Sequence, residues 1–386
     1  MTEAARTRSA EAALVGTGDV RPRLEIDLRA IGANYLAMRS RYTGRDLSAV
    51  LKSDAYGLGL ETIAPVLAGV GCRSYWVNDL GEALRLKAAL PRAALPQAVV
   101  YTLFGLGGAD PEDFEQAAVI PVLASLDEVT RCGTHAARSG RRMAVAIQLD
   151  TGLGRLGLTT DDVDRLVGGE PLLSRLDIRC WVTHLAAFDC PDDAMNDRQR
   201  RALIDLTARL PKAPISLAAS SGVFMGPDWH FDIARIGSAL YGVQTSSRWQ
   251  DGLTPCYRLL APVLRVADLP AGAGVGYRGA TTLTRPSRIA TLALGYGDGL
   301  PQGLVTAGRA FRGDEALPFV GGMAMNLTMV DVTDLPDGAV GPGTRMEILG
   351  PRQTIDGLAA ALGCAPNVLL TQIGAACAHH YVGTGG

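Results

Sequence analysis

Eight short runs rich in apolar and β-branched residues recur between residues 47 and 237, and most of the gaps between them carry helical periodicity. The runs are 47–52 (LSAVLK), 73–79 (RSYWVND), 97–104 (QAVVYTLF), 119–125 (VIPVLAS), 142–150 (RMAVAIQLD), 176–185 (LDIRCWVTHL), 213–220 (APISLAAS) and 230–237 (HFDIARIG). Stretches such as 60–71, 80–90 and 192–210 set Leu, Ala and Ile on one face and Glu, Arg and Lys on the other. A strand–helix unit repeated eight times over roughly 200 to 250 residues predicts an α/β fold, a closed (β/α)8 TIM-type barrel. After residue 250 the text changes to apolar runs broken by Gly, Pro and Asp turns, as in 261–277, 288–299, 317–338 and 344–351, which predicts a C-terminal antiparallel β domain. One helix is expected at 354–363, ahead of the tail 367–383. The expected organisation is a loosely held arm over 1–20, a barrel over 21–250 and a β domain over 251–386.

At 386 residues with 47% apolar content, the chain can bury a large core. A net charge of −2 with no clustered basic face argues against nucleic acid or a membrane surface, and leaves small molecules as the default ligand. The seven cysteines are scattered and never spaced CxxC, which fits a reducing cytosol and offers no zinc motif. The five histidines do not fall at ligand spacing with carboxylates, so no metal site is expected. The N-terminus has no apolar signal core, and no apolar run approaches about 18 residues, so a soluble, cytoplasmic protein is expected.

Functional groups in such a barrel sit at the C-terminal ends of its strands. Lys52 ends the first run, Arg155 follows the fifth, His184 ends the sixth and Arg235 lies near the end of the eighth. Lysine is scarce, three against 34 arginines, and Lys52 closes a buried apolar run, whereas Lys87 lies in helical text and Lys212 in a connector. An amine in an apolar pocket has a depressed pKa and is reactive toward an aldehyde cofactor. Beyond strands seven and eight, ASSG (219–222) and RIGSALYG (235–242) offer backbone N–H groups and hydroxyls of the kind that bind phosphate, with Ser220 and Tyr56 as further donors. Together with Lys52 these stretches point to pyridoxal phosphate.

The order and wording of the pieces resemble the bacterial alanine racemase family over nearly the whole chain, from RLEIDLRAIGANY (23–35) to HHYVG (379–383). The specific stretches are AVLKSDAYGLG (49–59), LDTGLGRLGL (149–158), THLAAFD (183–189), ARIGSALYG (234–242), VGYRGATTLTRPSRIATLALGYGDG (275–299) and MVDVTDLP (329–336). The resemblance implies a pyridoxal 5'-phosphate enzyme that racemises a small amino acid, L-alanine to D-alanine foremost, as a homodimer with shared active sites. Lys52 would hold the cofactor and act as one acid–base group, and Tyr277 would be the second, reaching the site from the partner's β domain. Arg235 would face the pyridine nitrogen with His184 behind it. Tyr56, Ser220, Gly237 and Ser238 would contact the phosphate; Arg155 and the Met325 backbone would hold the substrate carboxylate; Tyr296 would stand at the channel entrance.

Three positions depart from the family pattern. Gln148 stands where many relatives carry a modified lysine bracing the arginine, Asn326 where an aspartate is common, and Asn367 where a tyrosine usually closes the pocket beside the phosphate. The short amide at Asn367 opens space and adds hydrogen-bonding capacity, so serine or a broader set of small amino acids is the alternative substrate. Two other classes share the barrel. A basic amino-acid decarboxylase would need a glycine run and a cysteine motif that this chain lacks at matching places, and a non-catalytic pyridoxal-phosphate carrier would lack the β domain.

Overall fold

A computed structural model describes residues 20–169, 171–246 and 251–383. The arm expected over 1–20 lies outside the described residues apart from Val20. Strand β1 (Arg23–Asp27) comes first, followed by the helix Leu28–Arg41, whose N-terminus is capped by Asp27 accepting from the N–H groups of Arg29 and Ala30. Eight strands then alternate with helices: β2 (Asp46–Val50), β3 (Ser74–Val77), β4 (Val99–Thr102), β5 (Ile120–Leu123), β6 (Met143–Gln148), β7 (Leu176–Val182), β8 (Ile215–Ser216) and β9 (Ile233–Ile236). Each of the eight lies within or against one of the apolar runs.

The sheet order is β8-β7-β6-β5-β4-β3-β2-β9, every pairing is parallel, and a bridge between Ala219 and Arg235 closes the ring. Short polar caps start the outer helices: Asp79 before Leu80–Ala89, Ser125 before Leu126–Ser139, and Thr159 with Asp162 in a reciprocal capping box before Thr160–Gly168. A core cluster is built from Val50, Trp76, Tyr101, Val122, Ala146 and Cys180, among others, with the Trp76 and Tyr101 rings stacked at 4.1 Å. The buried Trp76 indole donates to Ser48 Oγ at 2.7 Å, which in turn donates to the Ala234 carbonyl, so no polar atom of that pair is stranded.

The β unit is an antiparallel sheet. Its strands are β10 (Tyr257–Leu269), β11 (Gly274–Val275), β12 (Thr281–Thr282), β13 (Ser287–Ala293), β14 (Ala310–Arg312), β15 (Glu315–Leu317), β16 (Phe319–Met323), β17 (Leu327–Asp331), β18 (Arg345–Leu349) and β19 (Ala378–Val382). The main order is β15-β14-β18-β10-β13-β17-β16, with β1 paired to β10 and β19, while β11 and β12 form a separate hairpin. Two compact units result among the described residues, one gathering Ile26–Tyr257 with Gly363–Thr371 and 381–383, the other Arg258–Leu362 with Gln372–His380 and 20–25. The tail thus holds a second helix, Pro366–Ala376, and its first turns belong to the barrel unit rather than to the β domain. Proline at the first helical position was the local sign of that helix. Among the described residues no single helix is long and apolar enough to cross a membrane.

Candidate active site

At the C-terminal ends of the barrel strands lies a cavity of about 450 Å³ within the barrel unit. Lys52, Tyr56, Arg155, His184, Ser220, Arg235, Gly237, Ser238 and Asn367, nine of the residues singled out in the sequence, line it. Three of the lining side chains are cationic and, among the described residues, none is Asp or Glu. Such a cavity selects anionic ligands.

Lys52 follows directly on β2, where Leu51 N donates to the Trp76 carbonyl at 2.8 Å. Burial, and then the neighbouring Arg155, hold its amine below the usual lysine range, with Glu82 acting in the opposite sense. More of the amine is therefore neutral, and nucleophilic, at a given pH. Past Lys52 the chain turns left-handed for four residues that are not glycine, Ser53, Asp54, Ala55 and Tyr56, with φ of 53, 56, 55 and 61°. Each such residue costs about 1–2 kcal/mol, so the turn persists only because its surroundings impose it. It brings the Tyr56 hydroxyl to the other side of the cavity, where a Cβ added at Gly237 would lie 2.1 Å from it. That close approach, rather than any backbone angle, demands glycine at 237. Burial raises the Tyr56 hydroxyl to about 12, so it remains a hydrogen-bond donor.

Arg235 is buried and satisfied by neutral acceptors. Its Nη1 donates to the Ser216 carbonyl and hydroxyl, its Nη2 donates to the Thr183 carbonyl at 2.7 Å and faces His184 Nδ1 at 3.4 Å, and the guanidinium lies 5.5 Å from the Trp76 ring. Burial lowers its pKa to about 10, which still leaves it charged at neutral pH. His184 is pushed down to about 3 by burial and then by Arg235, Arg155 and Lys52. It is neutral throughout the working range. Because the arginine can only donate, Nδ1 accepts and the ring proton sits on Nε2.

The sequence reading missed Ser221. Ser220 Oγ accepts from the N–H groups of Gly237 (3.0 Å) and Ala239 (3.2 Å), so it already braces the loop after β9. Its neighbour Ser221 is fully buried, lines the cavity, and its hydroxyl has no hydrogen-bond partner among the described residues. Two adjacent hydroxyls in ASSG look alike in a sequence, and only the short helix Ser220–Phe224 decides that the Ser220 oxygen accepts the two backbone N–H groups while its own O–H is kept to donate, as the phosphate contact expected of Ser220 requires. Asn367 Oδ1 is likewise buried without a partner among the described residues.

Arg155 sits in an exposed loop shaped by Asp150, whose Oδ1 accepts from Gly152, Leu153 and Gly154 N–H groups at 2.9–3.1 Å. Gln148 donates its amide to the Leu156 carbonyl at 3.1 Å, and so steadies the loop next to Arg155. Tyr277, Tyr296 and Met325 lie in the β unit and do not line the cavity; they are 79%, 43% and 58% exposed. The hairpin of β16 and β17 organises all three. Tyr296 N donates to the Ala324 carbonyl and Gly297 N to the Met325 carbonyl, while Gly276, with φ of 81°, lies so close to Gly321 that a Cβ there would sit 1.7 Å from its carbonyl oxygen.

Fold and site together define a (β/α)8 barrel protein with a half-buried lysine just past its first barrel strand and a cationic cavity around it. The alanine racemase N-terminal domain model matches residues 26–245 and the C-terminal domain model residues 256–381. An alanine racemase of Brucella abortus is 39% identical over 372 residues, covering 93% of each chain, and one of Acidiphilium cryptum is 40% identical over 353 residues, covering 92% of this chain and 96% of its own. The crystal structure of alanine racemase from Bartonella henselae with covalently bound pyridoxal phosphate superposes with a TM-score of 0.88 at 33% identity, covering 94% of this chain and 99% of that one. The chain belongs to the alanine racemase family.

The residues present fit pyridoxal phosphate. Lys52 offers an amine for the aldehyde, the unpartnered Ser221 hydroxyl and Tyr56 offer donors to a phosphate, and Arg235 offers a fixed charge to the ring nitrogen. Ser221→Ala is expected to weaken pyridoxal phosphate binding about tenfold, read by titrating the visible absorbance, because it removes a buried donor to an anion. Unchanged affinity would return that role to Ser220.

Proposed function

We propose that this protein is a pyridoxal 5'-phosphate-dependent racemase that interconverts L- and D-alanine with Lys52 and Tyr277 as its two acid–base groups. The observation that carries the reading is the convergence of Lys52, Arg155, Arg235 and a neutral His184 on one cavity with no acid among the described lining residues. When bound, pyridoxal phosphate draws electrons from the Cα–H bond and so makes that proton removable. Lys52 holds the cofactor and takes or returns the proton at one face of Cα. Inversion needs a second group at the opposite face, since one base would restore the original hand. Tyr277 supplies it. Arg155 and the Met325 backbone hold the substrate carboxylate, and Tyr296 guards the approach.

Arg235 keeps its own proton and leaves the ring nitrogen unprotonated, which limits charge delocalisation and favours return of the proton to Cα over side reactions. His184, being neutral, can accept from Arg235 without adding a charge. Incubation with L-alanine and chiral chromatography test the reading: the mixture should reach equal amounts of the two forms, which have equal free energy in an achiral solvent. A homodimer follows from the exposed Tyr277, which acts in the cavity of a second copy. Sedimentation should give a dimer, and a monomer active at full rate would refute that assignment. The D-alanine made would serve peptidoglycan synthesis in the cytoplasm.

Serine is a second substrate, favoured by the unpartnered Asn367 amide oxygen in the cavity wall. That oxygen can accept from a substrate hydroxyl. Asn367→Tyr is expected to lower the serine-to-alanine ratio of kcat/KM by about tenfold, the scale of one buried hydrogen bond. An unchanged ratio would defeat the idea.

A further inference from the structure

We infer that Glu82 is the positioning residue of this site, clamping the left-handed turn between Lys52 and Tyr56 so that both face the cavity. The inference rests on the reading that Lys52 takes up pyridoxal phosphate. Glu82 lies in the helix Leu80–Ala89, one turn after β3. Its Oε1 accepts from Asp54 N at 2.9 Å, inside the turn, and its Oε2 accepts from Asn78 N at 2.8 Å, at the end of β3. One carboxylate therefore ties the strained turn to the barrel wall.

Neighbouring bonds act in the same direction. Asn78 Nδ2 donates to Ser53 Oγ at 3.2 Å, and Asp54 Oδ1 accepts from Leu60 N at 3.2 Å and from Arg85 Nη2 at 2.7 Å. Arg85 is in turn paired with Glu61 at 2.6 Å. Glu82 is also the acid that opposes Arg155 and Arg235 in their effect on Lys52. A glutamine of the same shape would keep one acceptor and point a donor at the other N–H, so shape alone cannot replace the carboxylate. Aspartate would keep both acceptors and the charge on a shorter arm.

The test uses the full-length chain, stripped of cofactor and titrated with pyridoxal phosphate, as wild type, Glu82→Gln and Glu82→Asp, each with and without Ser53→Gly. Visible absorbance gives the affinity, visible circular dichroism the orientation of the bound cofactor, and far-ultraviolet circular dichroism the fold. Glu82→Gln is expected to keep its fold, bind at least about tenfold more weakly and lose visible dichroism, with Glu82→Asp between it and wild type. Glycine at 53 adopts positive φ freely but gives up the bond from Asn78 Nδ2, so the two effects offset in the wild type, whereas in the glutamine variant, where the turn has lost its main clamp, Ser53→Gly should recover about fivefold. Binding and dichroism like wild type in Glu82→Gln, or no recovery by glycine, would overturn the inference. Should Glu82→Gln fail to fold, weaker binding by Glu82→Asp with recovery by Ser53→Gly supports the clamp, and wild-type binding by Glu82→Asp overturns it. A wild type that takes up no pyridoxal phosphate would overturn the proposed function itself, and this inference with it.

Discussion

Lys52→Ala is expected to abolish the visible absorbance of amine-linked pyridoxal phosphate and to reduce racemisation by at least about 10³-fold, because it removes the cofactor's covalent anchor and one acid–base group together. The far-ultraviolet spectrum should not change, since Lys52 is only half-buried and lies just past its strand. The other lysines are poor substitutes. Lys87 donates to the Ala117 and Ala118 carbonyls, and Lys212 is exposed in a connector. Cofactor that borohydride still fixes to the alanine variant at either position would move the site away from Lys52.

Tyr277→Phe should leave the visible absorbance intact while slowing hydrogen exchange at Cα of one enantiomer by about 10²–10⁴-fold, the range of a general acid–base group, and sparing exchange of the other. The asymmetry is the informative part. Each face of Cα has its own base, so removing the phenol silences one face and leaves Lys52 to exchange the proton on the other. The substitution keeps the ring, and the 79% exposure of Tyr277 makes a loss of core packing a poor explanation of any effect. Equal slowing for both enantiomers would mean that Tyr277 serves binding rather than proton transfer.

The barrel was legible because each strand is short, apolar and followed by a periodic helix, so the ends of the runs also marked where functional side chains emerge. Lys52, His184 and Arg235 each stand at or near the end of an apolar run, and the structure places all three on one cavity. Three features were not legible. The turn 53–56 contains no glycine, and nothing in SDAY announces four positive φ values, which tertiary contacts impose. Glu82 reads as an ordinary exposed position on an amphipathic helix until its two backbone partners are known. Ser221 could not be told from Ser220, since their difference lies in which hydroxyl the N–H groups of Gly237 and Ala239 claim. The helix Pro366–Ala376 inside the tail was not read from the sequence, and the grouping of its first turns with the barrel unit depends on packing that a local pattern does not contain.

The most direct test of the account is exchange of the α-hydrogen of L-alanine in heavy water by the cofactor-loaded protein, followed by proton NMR and then by chiral chromatography. Loss of the α-proton signal is expected, accompanied by D-alanine carrying deuterium at Cα, up to an equal mixture of the two forms. Exchange that leaves only L-alanine, or no exchange at all, would contradict it.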